Sequence, residues 1–221
     1  ANVHVDYVPF YDYKDPEGST KRSVAALKEH LKRYPNQYAA MSFELVQGEG
    51  GFYPGTKDFF VALMETLKEA GVSIFVDEIQ TFARTSQLFA FQYFGLEEYV
   101  DLVTIGKVSQ VCATLYKDHL SPKPGLLSQT FTASSSAIGA SKAMIKHLLE
   151  EGFYGDEGRI QRIHDYLSSK LEAISEEDPY LIQGPFGIGS MVAFTVFEGD
   201  KDKTLKFLKN LYEMGVIAFL A

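Results

Sequence analysis

The run VSIFVDE at residues 72–78 constrains the fold of this chain more than any other feature. Its apolar residues continue almost unbroken into two acids, which is typical of a central parallel strand covered on both faces. A similar run, YAAMSFELV, precedes it at residues 38–46. Between the two, residues 57–70 carry apolar side chains at three- and four-residue spacing and end at Gly71, which predicts a capped amphipathic helix. The order strand, helix, strand predicts an α/β fold.

Beyond residue 100 the pattern passes from strands to helices and then to a glycine-punctuated segment. The predicted elements are strands at 101–106 and 110–116, helices at 134–151 and 158–176, a hairpin at 181–200, a helix at 201–214 and a strand from Val216. We expect residues 1–150 to form part of a doubly wound, mostly parallel α/β domain and residues 151–221 part of a small α+β domain. Because the chain starts at Ala1 and ends within an apolar run, we also expect it to be part of a longer protein.

Composition narrows the class of partner. The formal net charge of −8 argues against general nucleic-acid binding, and no apolar run approaches the roughly 20 residues that cross a bilayer. Cys112 is the single cysteine, so no intrachain disulfide can form and a cytoplasmic location is expected. Its neighbours Val111 and Ala113 predict that it is a small buried hydrophobe. The five histidines lack ligand spacing, so no metal site is predicted.

Polar residues follow the strand at 72–76, where ligands bind in open α/β sheets. Asp77, Glu78 and Gln80 occupy this position. One alternative is that an acid caps the next turn. Another is a nucleotide-hydrolysing site, in which the acids hold Mg²⁺, but this requires a phosphate-binding loop. Lys107 follows Gly106 without the Ser or Thr that such a loop needs next, so the nucleotide alternative lacks its essential part.

Lys107 is the only charged residue between Thr104 and Tyr116. An amine partly removed from water loses its proton more readily and becomes nucleophilic enough to form an imine with an aldehyde. The alternative is a surface lysine whose stem lies on apolar neighbours. Asp77 favours the first possibility, because an electron-sink cofactor needs a carboxylate at its pyridine nitrogen as well as a lysine.

Four segments, taken in order, resemble the class III (ornithine- and acetylornithine-type) aminotransferases of fold type I, which use pyridoxal 5′-phosphate (PLP). They are FELVQGEGGFYPG from Phe43, VDEIQTFARTSQLFAFQYFGL from Val76, VDLVTIGK ending at Lys107, and SQTFTASSSAIGASKAMI from Ser128. Departures from the family pattern occur at Leu45, Thr81, Ala83, Ser86 and residues 132–135. The stretch GKVSQVCA, residues 106–113, is most similar to the lysine 6-transaminase branch.

The resemblance implies a role for each matching residue at the cofactor. Lys107 would be the Schiff-base lysine and proton shuttle, and Asp77 would hold the pyridine nitrogen. Ile79 would pack on the ring face, and Gln80 would approach the ring hydroxyl. Thr130 would reach the cofactor phosphate of the partner subunit, so a homodimer with shared active sites is implied.

The resemblance also implies a substrate class. Glu44 would lie near the ring, and Glu49 matches the acid that pairs with a substrate-gating arginine in ornithine-type members. The donor would be a lysine- or ornithine-like or other ω-amino acid, and the acceptor 2-oxoglutarate. A PLP-dependent isomerase or decarboxylase of the same fold, or a non-catalytic binding domain, remain alternatives. The family's upstream phosphate loop and downstream arginine have no match here, so this chain alone is expected to be inactive.

Overall fold

The computed structural model describes residues 3–127 and 133–220 and has the α/β fold that the sequence predicts. The strands are β1 (Ala40–Glu44), β2 (Val46–Gln47), β3 (Tyr53–Pro54), β4 (Ser73–Glu78), β5 (Leu102–Ile105), β6 (Ala113–Tyr116), β7 (Ile182–Ile188) and β8 (Met191–Val196). The α-helices are α1 (Pro16–Arg33), α2 (Lys57–Glu69), α3 (Ala90–Tyr93), α4 (Ser135–Glu150), α5 (Arg159–Glu177) and α6 (Lys201–Glu213). Among these described residues, no helix has the length and apolar character needed to cross a membrane.

A four-stranded sheet in the order β1-β4-β5-β6 positions the site. Strands β1, β4 and β5 run parallel, which confirms the strand, helix, strand prediction for residues 38–78. Strand β6 is antiparallel to β5. The two are joined only by residues 106–112, and such a connection is too short for the crossover that a parallel pair requires.

The core lies between one face of this sheet and α2. Helix α2 begins after Thr56, whose hydroxyl accepts a hydrogen bond from the Phe59 amide, and ends before Gly71, which has φ +69°. Its buried face packs against Phe43, Ile74 and Val76 of the sheet. Because parallel strands are stable only when covered, this helix fixes which side chains of β1 and β4 remain on the other face.

Helix α1 was not predicted from the sequence. It begins after Asp15, whose carboxylate accepts a hydrogen bond from the Gly18 amide, and packs on α2. Its buried residues are Ser19, Ser23 and Leu27. Since two of these three are serines, the apolar stripe that normally indicates an amphipathic helix is weak.

The C-terminal part contains the predicted hairpin. Strands β7 and β8 pair antiparallel, and Leu171 of α5 packs with Ile182 and Val196 beneath them. The strand expected from Val216 is wrong, because residues 216–220 are exposed and pair with no strand of the described chain. The division into domains at residue 150 stays a prediction.

Candidate functional site

A row of polar side chains crosses the sheet at the carboxyl ends of its parallel strands. Glu44 of β1 pairs with Asp77 of β4, Asp77 with Thr104 of β5, and Thr104 with Thr114 of β6. Directly paired residues of neighbouring strands share a face, so these four side chains lie on one side of the sheet. The adjacent row on the opposite face is apolar and includes Phe43, Val76 and Val103, all of which are buried.

Asp77 is half-buried in the centre of this row. Its Oδ1 accepts a hydrogen bond from the Ile79 amide at 2.9 Å and one from the Thr104 hydroxyl at 3.4 Å. No donor among residues 3–127 and 133–220 contacts its Oδ2. Within the described residues, Asp77 therefore has one carboxylate oxygen that accepts hydrogen bonds and one without a donor.

Glu78 has a structural role. This agrees with the alternative that one acid of the pair caps the turn after the strand. It is fully buried on the opposite face and accepts hydrogen bonds from the amides of Ala90 and Phe91 and from the Thr81 hydroxyl, at 2.8–3.0 Å. Burial raises the pKa of Glu78, and the three donors lower it in part. Because successive strand residues face opposite ways, Asp77 and Glu78 do not present two carboxylates to one cation, which removes support from the nucleotide alternative.

Lys107 follows β5 and begins the 3₁₀ turn Lys107–Ser109. Its φ is +51°, and Gln110 closes the turn with φ +60°. Left-handed backbone at non-glycine residues carries strain and occurs preferentially at active sites. The Gln110 amide donates to the Lys107 carbonyl at 3.0 Å and holds the turn closed.

Two expectations about this turn were wrong. Lys107 is exposed rather than partly removed from water, because it starts a turn beyond the end of the strand. Cys112 is exposed rather than buried, because β6 begins only at Ala113. An exposed lysine is also compatible with the surface-loop alternative. The charged groups around Lys107 are therefore needed to decide between the two possibilities.

Several charged groups lie near Glu44 and influence its pKa. Partial burial is the largest cause that raises its pKa, and the nearby carboxylates of Asp77 and Glu49 raise it further. A hydrogen bond from the Gly48 amide and the positive charge of Lys107 lower it. Asp77, Glu49 and Lys107 therefore each lie within electrostatic range of Glu44.

The side chains after β1 and β4 also make direct contact. The Gln80 amide donates to Glu49 Oε1 at 2.9 Å. A Cβ on Gly48 would lie 2.4 Å from Gln80 Nε2, so only glycine admits the amide in this position. Across the sheet edge, a Cβ on Gly106 would lie 2.8 Å from Ile79 Cδ1, which places the Ile79 side chain beside the backbone that precedes Lys107.

Sequence reasoning missed Thr104 and Arg84. Thr104 was overlooked because its contact with Asp77 depends on strand register. The Arg84 guanidinium donates to the Gln80 carbonyl at 2.9 Å, and its own carbonyl accepts a hydrogen bond from the Ser190 amide at 2.8 Å. Arg84 thus connects the loop after β4 to the turn between β7 and β8. Thr130, expected at the cofactor phosphate, lies outside the described residues.

Residues 2–221 match the family model for aminotransferase class-III. The chain is 33% identical over 179 residues to acetylornithine aminotransferase of Oceanobacillus iheyensis, covering 76% of this chain and 43% of that protein. It is 34% identical over 191 residues to 5-aminovalerate aminotransferase DavT of Pseudomonas putida, covering 81% of this chain and 43% of that protein.

Solved structures show the same fold. Lysine aminotransferase from M. tuberculosis superimposes with a TM-score of 0.85 at 22% identity, covering 96% of this chain and 49% of that chain. Taurine:2-oxoglutarate aminotransferase from Bifidobacterium kashiwanohense, in complex with PLP and glutamate, superimposes with a TM-score of 0.79 at 19% identity, covering 93% and 50%. The chain spans about half the length of the curated relatives and solved structures that it matches. It belongs to the class-III aminotransferases, a family of PLP-dependent enzymes.

Proposed function

We propose that the whole protein is a PLP-dependent aminotransferase in which Lys107 binds the cofactor and Asp77 holds its ring nitrogen. The observation that carries this proposal is the arrangement of the two groups. Asp77 lies at the carboxyl end of β4, Lys107 directly follows the parallel neighbour β5, and both act on the pKa of Glu44. Family membership supplies the second, independent support.

The residues present fit PLP. Asp77 offers a carboxylate oxygen with no protein partner among the described residues, which suits a protonated pyridine nitrogen. Ile79 offers an apolar side chain beside Gly106, and Gln80 offers an amide. Lys107 provides the amine, since it is exposed at the same edge. PLP, when bound, supplies an electron sink for the substrate carbanion.

Each residue then has a separate task. The Asp77 carboxylate would hold the protonated ring nitrogen, and the Lys107 amine would bind the cofactor and would accept and return the transferred proton. Ile79 would exclude water from one ring face. Gln80 would orient the ring through its hydroxyl, and Thr130 would bind the cofactor phosphate of the partner subunit in a homodimer.

The proposed donor has an amino group at the end of a carbon chain. The names of the matched proteins include acetylornithine, 5-aminovalerate and lysine as substrates, and these share such a group. Glu44 and Glu49 add negative charge beside the site, which favours a cationic amine. We propose 2-oxoglutarate as the acceptor, since the taurine:2-oxoglutarate aminotransferase of the same fold is named for that acid. A cytoplasmic location is a prediction from the cysteine content.

The test of the lysine assignment is chemical. The whole protein is incubated with PLP, reduced with borohydride and digested, and the pyridoxyl group is located by peptide mass spectrometry. We expect the label on Lys107 and its loss in Lys107→Ala. Lys117→Ala is the matched control, because Lys117 lies at the opposite end of the β5–β6 pair, where it pairs with Asp101 at 3.3 Å. Undiminished labelling of the protein carrying Lys107→Ala would refute the assignment.

Product analysis separates the reaction types. A transaminase consumes the donor only in the presence of a 2-oxo acid, whereas an isomerase or decarboxylase does not require one. We expect donor consumption to depend on 2-oxoglutarate and to produce glutamate. Failure of the whole protein to bind PLP would favour a non-catalytic binding domain.

A further inference from the structure

We infer that Thr104 is a positioning residue for Asp77, and that Asp77 Oδ2, rather than Oδ1, faces the cofactor ring nitrogen. The inference rests on the proposed function and deepens it by assigning the individual carboxylate oxygens. It starts from the distribution of hydrogen bonds on the two oxygens. Oδ1 accepts from both the Ile79 amide and the Thr104 hydroxyl, whereas the described residues leave Oδ2 without a donor.

The two donors come from different strands. The Ile79 amide is two residues along the chain from Asp77 and fixes the carboxylate locally, at 2.9 Å. Thr104 is the direct partner of Asp77 on β5, and its hydroxyl approaches the same oxygen from the side, at 3.4 Å. Two donors that reach Oδ1 from different segments restrict rotation of the carboxylate more than the Ile79 amide could alone. The second donor therefore helps to hold the carboxylate in the orientation that leaves Oδ2 available to the ring nitrogen.

The charge on Asp77 explains why a hydroxyl suits this position. A donor to an ionised carboxylate stabilises the charged form, and the charged form is the one that keeps a pyridine nitrogen protonated. The Thr104 contact is longer than the usual 2.5–3.0 Å of a hydroxyl hydrogen bond. Thr104 would then act through Asp77 without touching the substrate.

The ordinary alternative is that Thr104 is a β-branched residue suited to a strand. Thr114 provides the comparison that separates the two possibilities. It pairs directly with Thr104 on β6 and shares its face, but it is exposed and its hydroxyl has no hydrogen-bond partner in the described part of the chain. A role in strand formation predicts similar effects at both positions, whereas a role in positioning Asp77 predicts an effect at Thr104 alone.

The experiment uses the whole protein with Thr104→Val, Thr104→Ser and Thr114→Val. Valine keeps the branched shape and removes the hydroxyl, whereas serine keeps the hydroxyl. With ¹⁵N-labelled PLP, we expect Thr104→Val to move the ring-nitrogen resonance towards the unprotonated form and to weaken PLP binding about tenfold. Thr104→Ser should restore both properties, and Thr114→Val should leave both unchanged.

A cofactor-free measurement keeps the two proposals distinct. In protein labelled with ¹³C in aspartate, we expect Thr104→Val to shift the Asp77 carboxyl resonance in the absence of PLP. If PLP binds at Lys107 but neither its nitrogen resonance nor its affinity changes in Thr104→Val, the positioning role is overturned and the proposed function stands. If PLP does not bind while the carboxyl resonance still depends on Thr104, the proposed function fails, and with it the role of Oδ2.

Discussion

The side-chain amide of Gln80 donates a hydrogen bond to Glu49 Oε1 at 2.9 Å. This contact joins the residue proposed at the ring hydroxyl of the cofactor to the residue proposed to bind the amino-donor substrate. An amide nitrogen carries two hydrogens, so one can bind Glu49 while the other remains for the cofactor. The carboxylate of Glu49 thereby sets the orientation of the Gln80 amide. A change at Glu49, on the side of the amino-donor substrate, is therefore expected to affect cofactor binding through this contact.

Replacing Glu49 with Ala should release the Gln80 amide and weaken PLP binding about threefold to tenfold, the size of one partly exposed hydrogen bond to a charged group. Glu49→Gln retains an acceptor oxygen and should have a smaller effect. Equilibrium titration of the cofactor-free protein with PLP measures both. Glu172→Ala, at an exposed acid on α5, is the control. Equal affinity in the wild-type protein and Glu49→Ala would show that the contact does not influence the cofactor.

Gly48→Ala tests the same contact from the backbone side. The added Cβ would lie 2.4 Å from Gln80 Nε2, and the end of a long side chain can move away without unfolding the protein. We expect normal thermal stability but the same loss of PLP affinity as in Glu49→Ala, and no further loss in the double variant. Gly139→Ala in α4 is the control, because a Cβ there meets nothing within 4 Å. Additive losses in the double variant would contradict a shared contact.

Glu78 gives a prediction about stability and pH. Because its pKa is raised above the ordinary value of 4.5, the folded protein holds this proton more tightly than the unfolded chain does. The contribution of Glu78 to the free energy of unfolding therefore declines as pH rises from below 4.5 through the raised value. Denaturant unfolding across this pH range should show the decline, and Glu78→Gln should remove it.

Glu78→Ala should lower the free energy of unfolding at neutral pH. Alanine offers no side-chain acceptor to the three donors that Glu78 now accepts from, and leaving a buried donor unpaired costs about 1–3 kcal/mol. Glu177→Ala, at an exposed acid ending α5, is the control. A stability unchanged from the wild-type protein would mean that the capping contacts at Ala90 and Phe91 contribute little.

The sequence was sufficient to predict the elements whose apolar residues follow one clear pattern. Residues 57–70 show the helical spacing of buried side chains, and 72–78 form a nearly continuous apolar run, so α2 and β4 were predicted within a few residues. Helix α1 was missed because serines occupy its buried face. The expected terminal strand failed because a strand also needs a partner, which apolar composition at 216–220 does not supply.

The site was predicted at the level of residue types rather than contacts. Asp77 and Lys107 were found because each follows a strand-like run. Thr104 was not found, since its contact with Asp77 depends on the register between β4 and β5, which tertiary packing sets. Cys112 was misplaced because an apolar flank cannot show where a strand begins.

The turn between β7 and β8 should not tolerate a side chain at Gly189. This glycine has φ +57°, and a Cβ on it would lie 2.1 Å from the Arg84 carbonyl oxygen, a backbone atom that cannot easily move. Gly189→Ala should therefore separate Ser190 from Arg84 and lower the free energy of unfolding by about 2–4 kcal/mol, from backbone strain and the lost contact together. Gly152→Ala isolates the strain, because Gly152 has φ +68° but a Cβ there meets nothing within 4 Å. We expect that control to lower the free energy of unfolding by about 1 kcal/mol.

Equal losses of stability for Gly189→Ala and Gly152→Ala in denaturant unfolding would mean that the turn does not hold Arg84. A larger loss in Gly189→Ala, accompanied by weaker PLP binding, would show that the hairpin supports Gln80 through the Arg84 guanidinium.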